Sequence, residues 1–132
     1  MSDQSVFWAD LAEDLDDPEF LREFVLEAVR IKTVDSIINA LDQARTESAM
    51  TKAELARAMS TEPSTIRRLL SSPKNPTLRT VTEAAAALGF RLTLERLDEP
   101  GRDLLTAALT SGRARDLAGL EAAVGQFDRA HC

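Results

Sequence analysis

The stretch of residues 52–69 constrains the fold of this chain more than any other. Apolar residues recur there at helical spacing on both sides of a turn of three or four residues, which calls for two short helices that cross steeply. Helices that cross steeply need a small residue where they touch, and Ala56 supplies it. Leu55, Met59, Ile66 and Leu69 fall where side chains point into a shared core. Pro63 opens the second helix, where its missing N–H costs nothing. That placement leaves Pro63, Ser64, Thr65, Arg67 and Arg68 on or near the outward face, with Lys52 at the start of the first helix. Such a helix fits a major groove, where Arg offers a fork to guanine and Ser or Thr can bond several base edges.

The rest of the chain also reads as helical, so the expected fold class is all-α. Asp17 followed by Pro18 predicts an N-cap, and Phe20, Leu21, Phe24, Val25, Ala28 and Ile31 then recur on one face. A second helix is predicted over residues 34–48, with a break near Thr33 where β-branched residues cluster. Further helices are expected at 52–59, 63–70 and 78–88, the last with Thr77 at its start and Gly89 at its end. Phe90, Leu92 and Leu94 alternate with Arg91, Thr93 and Glu95, the period of one short strand over residues 90–96. Pro100-Gly101 marks a boundary, and two helices separated at Gly112 complete the chain. The expected organisation is an acidic helical extension at 1–33, a binding domain with its terminal strand at 34–96, and a helical tail at 97–132.

Charge divides along the same lines. The net charge is −6, which argues against a passive nucleic-acid coat or a polybasic membrane binder. Residues 1–49 carry 12 acidic and 4 basic side chains, however, while residues 50–96 carry 8 basic and 4 acidic, a local +4. The middle of the chain attracts phosphate, with Lys52, Arg57, Arg67, Arg68, Lys74 and Arg79 its nearest cations to the helix pair, and the flanks do something else.

These residues resemble the helix-turn-helix regulators of the phage-repressor-like family, also called Cro/C1 or XRE. The resemblance covers residues 34–94, including the Asn75-Pro76-Thr77-Leu78 turn and the Leu88-Gly89 helix end. It implies a five-helix lambda-repressor-like domain with one short strand, between N- and C-terminal helical extensions. Within the family the layout is most similar to HigA-type antitoxins, in which an acidic helical segment precedes the DNA-binding module and a strand of the Phe-Arg-Leu-Thr-Leu-Glu kind follows it. The resemblance implies a homodimer that binds an operator in double-stranded DNA, represses its own operon and neutralises a cognate RNA-cleaving toxin. Two positions depart from the family pattern: Ser60 stands where the turn usually has glycine, and Lys52 where the first motif helix usually opens with Gln. The expected DNA contacts are Lys52, Pro63, Ser64, Thr65, Arg67, Arg68 and Lys74. The expected dimer contacts are Phe90, Leu92 and Leu94, because a strand without a partner in its own chain leaves its backbone groups unpaired. Docking of that strand on its own helices is the alternative.

Other classes find little support. Cys132 is the sole cysteine and His131 the sole histidine, so neither an internal disulfide nor an ordinary zinc site is expected, and Asp14, Asp16 and Asp17 read as an acidic loop and cap. No catalytic residues and no cofactor are expected, since no base, nucleophile pair or glycine-rich phosphate loop is present. Residues 1–4 lack a basic leader, and the longest apolar stretch, residues 84–90, is far shorter than the roughly 18 residues of a membrane span, so a cytoplasmic protein is expected. Phe7, Trp8, Leu11 and Leu15 fit ordinary packing or a toxin-binding stripe. A protein-interaction adaptor on a helix-turn-helix scaffold, and a repressor without a toxin, remain the alternative functions.

Overall fold

The computed structural model describes residues 17–71 and 75–128. Among them are six α-helices and a closing 3-10 turn, with no strand: α1 Pro18–Glu47, α2 Lys52–Ala58, α3 Pro63–Ser71, α4 Leu78–Ala87, α5 Glu99–Ser111, α6 Leu117–Gly125 and the turn Gln126–Asp128. The all-α class is thus observed. Phe7, Trp8, Leu11, Leu15, Asp14, Asp16, Lys74, His131 and Cys132 lie outside the described residues.

Three expectations need correction. The break near Thr33 is absent, and α1 runs unbroken for 30 residues. Residues 19–47 contain neither proline nor glycine. β-Branched residues lower helix propensity by only about 0.7 kcal/mol each at most, which a cooperative helix with apolar faces absorbs. Residues 34–94 hold four helical segments, counting the second half of α1, where the family resemblance implied five. Pro100-Gly101 falls at the start of α5, in its first turn, where an N–H is not needed and Asp98 caps Gly101 at 2.7 Å. Residues 90–96 form no strand; from Arg91 to Leu94 no backbone group pairs with another among the described residues. Phe90 bonds back only once, its N–H reaching the Ala85 carbonyl at 2.7 Å.

The chain divides into two compact units, each with its own core. In residues 34–94, Ile38, Leu41 and Ala44 of α1 meet Leu55 and Ala56 of α2, Ile66 and Leu69 of α3, and Val81, Ala84, Ala85 and Leu88 of and after α4. Arg45 fastens the end of α1, donating to the Met50 carbonyl at 2.9 Å while pairing with Asp42.

The other unit joins residues 17–33 to residues 95–128. Leu21 and Val25 of α1 pack with Ala108 of α5 and Leu120 and Val124 of α6. Arg22 donates to the carbonyls of Leu109 and Thr110, which lie in the last turn of α5 and have no helical partner of their own. Gly112 ends α5 with φ +73°, and a Cβ there would come within 2.4 Å of the Pro18 Cβ and 2.8 Å of its Cα. Gly89, at φ +87°, ends α4 with open space around it.

These two glycines separate backbone strain from crowding. Gly89→Ala should lose about 1 kcal/mol, the left-handed penalty alone. Gly112→Ala adds a clash against backbone and should lose about 3 kcal/mol. Urea unfolding of both variants measures the difference.

Candidate nucleic-acid interface

The α2–α3 pair is set by its ends and by its crossing. Thr51 caps α2 by accepting from the Glu54 N–H at 3.0 Å, and Glu54 returns the bond, its Oε1 accepting from the Thr51 N–H at 2.9 Å. This reciprocal box satisfies two donors that a helix start otherwise leaves to water. The bonds from the Thr51 backbone and hydroxyl, assisted by Arg57, hold the Glu54 carboxyl below its ordinary pKa. At the other end the Thr61 N–H folds back on the Ala56 carbonyl at 2.9 Å, closing the turn.

Ser60 holds the sharpest part of that turn, at φ +53°. Glycine reaches this conformation freely, whereas a side chain there costs about 1–2 kcal/mol. Ala56, Leu55 and Ile66 are completely buried at the crossing, and Met59 packs against the same core. All four positions expected in the shared core from their spacing are therefore found in or against it, with Leu69 8% exposed.

On α3 the two faces separate cleanly. Ile66 and Leu69 are buried, and Ser64, Arg67, Arg68 and Ser71 are exposed on the opposite side. Pro63 and Thr65 are half-buried at the edges of this face, and Lys52 is half-buried at the start of α2. The Arg67 and Arg68 guanidinium groups have no ion pair or hydrogen-bond partner among the described residues, and α3 has no acidic residue in its first turn. Two planar five-donor forks thus stand on the exposed face of a helix whose opposite face is buried.

Spacing alone does not single out Ser71. It extends the outward face by one position, with its hydroxyl donating to the Arg67 carbonyl. The second residue missed is Thr61, which with Thr77, Arg79 and Thr80 lines an open cleft of about 920 Å³ beside the turn. The start of α4 borders that cleft, with Thr77 capping the Thr80 N–H at 3.1 Å. Arg79 is exposed and lies 3.7 Å from Glu83, a surface pair whose attraction solvent largely screens.

Phe90, Leu92 and Leu94 are not part of this face. They lie on the extended segment after α4, and all three are exposed, Leu94 completely. No group of His, Cys, Asp or Glu among the described residues is arranged to hold a metal. No helix among them is long and apolar enough to cross a membrane.

Residues 41–94 match the family described as helix-turn-helix. The match supports a Cro/C1-type helix-turn-helix regulator and, with it, a DNA-binding role in transcription. No curated protein and no solved structure matched the chain.

The strained turn gives a direct test of the local geometry. Replacing Ser60 by glycine relieves about 1–2 kcal/mol of left-handed strain and adds about 0.5–1 kcal/mol of chain entropy to be lost on folding. Ser60→Gly should therefore raise the unfolding free energy by roughly 0.5 kcal/mol, within reach of a denaturant midpoint measurement.

Proposed function

We propose that this protein is a sequence-specific, dimeric transcriptional repressor that inserts α3 into the major groove of an operator, with no catalytic step and no cofactor. The observation that carries the reading is the outward face of α3, where Arg67 and Arg68 have no partner among the described residues, inside a segment matching a helix-turn-helix family. Arg68, with Ser64 and Thr65, reads base edges; Pro63 shapes the approach of the helix start; Arg67, Lys52 and Lys74 hold phosphates. Phe90, Leu92 and Leu94 join two copies across a two-fold axis, which sets two reading helices about 34 Å apart on successive turns of the duplex. A protein of this kind works in the cytoplasm.

Affinity for a promoter fragment should fall steeply with salt, with a log–log slope of about −0.9 for each phosphate contacted. Arg68→Ala should cost about 1–3 kcal/mol on the operator and relax its specificity. Lys52→Ala should weaken operator and random duplex alike. Salt-titrated binding on both duplexes reads all of these outcomes, and a flat salt response would favour an adaptor that binds protein through the same scaffold.

The finer reading is that the repressor is the autoregulating antitoxin of a type II pair, resembling HigA-type antitoxins. The surplus of acidic side chains in residues 1–49 supports it, since a basic, RNA-cleaving toxin would be captured by complementary charge. The product of a short reading frame adjoining this one should co-purify with the full chain and lose that association when residues 1–33 are removed. Capture that survives the truncation would place the toxin contact elsewhere.

A further inference from the structure

An apolar groove of about 310 Å³ lies in the unit of residues 34–94. Its lining includes Ile37, Leu41 and Ala44 of α1, Ala85 of α4, and Phe90, Arg91 and Leu92 of the following segment. Two residues beyond Leu92, Leu94 is 100% exposed. The same chain therefore carries an apolar groove with room in it and, just past its rim, a leucine with no cover.

We propose that each groove receives Leu94 from a second copy of the chain, so that two copies exchange this leucine across a two-fold axis passing through Thr93. The proposal rests on the dimeric reading above and supplies its register and its interface.

The register follows from the alternation of the segment. Once paired as a strand, Phe90, Leu92 and Leu94 would share one face and Arg91 and Thr93 the other, although in the single chain Arg91 also borders the groove. Antiparallel pairing about Thr93 sets the second copy's Leu94 directly opposite Leu92 on that face, at a Cβ separation of about 5 Å. Leu92 already lines the groove, so its opposite neighbour enters beside it. A Leu94 of the same chain lies about two residue rises, roughly 6.6 Å, further along the segment and has left the groove behind.

Two other features fit this register. It sets Arg91 across from the second copy's Glu95, so no like charges meet in the pairing. It also gives the backbone groups from Arg91 to Leu94, unpaired among the described residues, a ladder to join. Shifting the pairing by one residue in one copy would turn the leucines toward the polar face.

Sedimentation equilibrium and photo-crosslinking test the exchange on the full chain. The unmodified protein should be a dimer at tens of micromolar, and Leu94→Asp should weaken it by about tenfold or more with unchanged far-UV helicity. A photoreactive phenylalanine in place of Leu94, in a mixture of isotopically light and heavy chains, should crosslink between copies to residues 37–44. A dimer that tolerates Leu94→Asp, or crosslinks only to other segments, would overturn the exchange while leaving a dimeric repressor standing. A monomer would overturn both the exchange and the dimer. Salt-dependent binding of that monomer to duplex DNA would still uphold the helix-turn-helix reading.

Discussion

The contact of α2 on α3 at Ala56 is the constraint on which the rest of the binding unit depends. Ala56 has no exposed surface, and neither have Leu55 and Ile66 beside it. A larger side chain at position 56 would have to displace a helix, because a close-packed core has no slack to absorb extra atoms. The closeness of that contact fixes which side of α3 faces inward, and with it the outward direction of Arg67 and Arg68. It also explains why serine is tolerated in the turn. Burying leucine and isoleucine side chains such as Leu55 and Ile66 contributes about 1.5–3 kcal/mol each, more together than the roughly 1–2 kcal/mol of strain at Ser60.

Where sequence alone was informative, several independent local signals agreed. Pro63, Thr77 and Gly112 each mark a helix end for a stated steric or hydrogen-bonding reason, and each is found at one. The outward placement of Arg67 and Arg68 followed from the inward placement of Ile66 and Leu69. What was not legible depended on contacts distant in sequence or on weighing small terms. The shared core of Leu21 and Val25 with Ala108, Leu120 and Val124 brings together residues nearly the whole chain apart, and no local pattern records it. The continuity of α1 turned on propensity differences too small to decide it without its packing. Ser71 escaped notice because one hydroxyl at a helix end has no period to betray it.

Charge gains its meaning from local neighbours more than from the total of −6. On the other helices, several cations have an acid three or four residues away: Arg30 with Glu27, Arg45 with Asp42, Arg79 with Glu83. On α3 this pattern stops, and Arg67 and Arg68 have no acidic partner among the described residues. An acidic chain can in this way present a cationic reading face, since ionic strength screens charges more than about 8–10 Å away and the nearest residues dominate the local field.

The segment after α4 shows why alternation by itself does not make a strand. A strand exists through its ladder, and after the Phe90 N–H has reached Ala85 the next residues up to Leu94 have no backbone partner among the described residues. Water can satisfy those groups, but it leaves Leu94 wholly exposed, and burial of one leucine is worth only about 1.5–3 kcal/mol. Association costs an estimated 4–15 kcal/mol, so one docked leucine could not hold two chains together. A two-fold exchange would double each contribution: two leucines, two grooves and one continuous ladder set against a single association cost. A head-to-tail arrangement would use each surface once per contact and leave an open end for a further copy. In the proposed dimer, reciprocity is what would let so short a segment act as an interface, and the axis so created would give the two α3 helices the symmetry of a palindromic duplex.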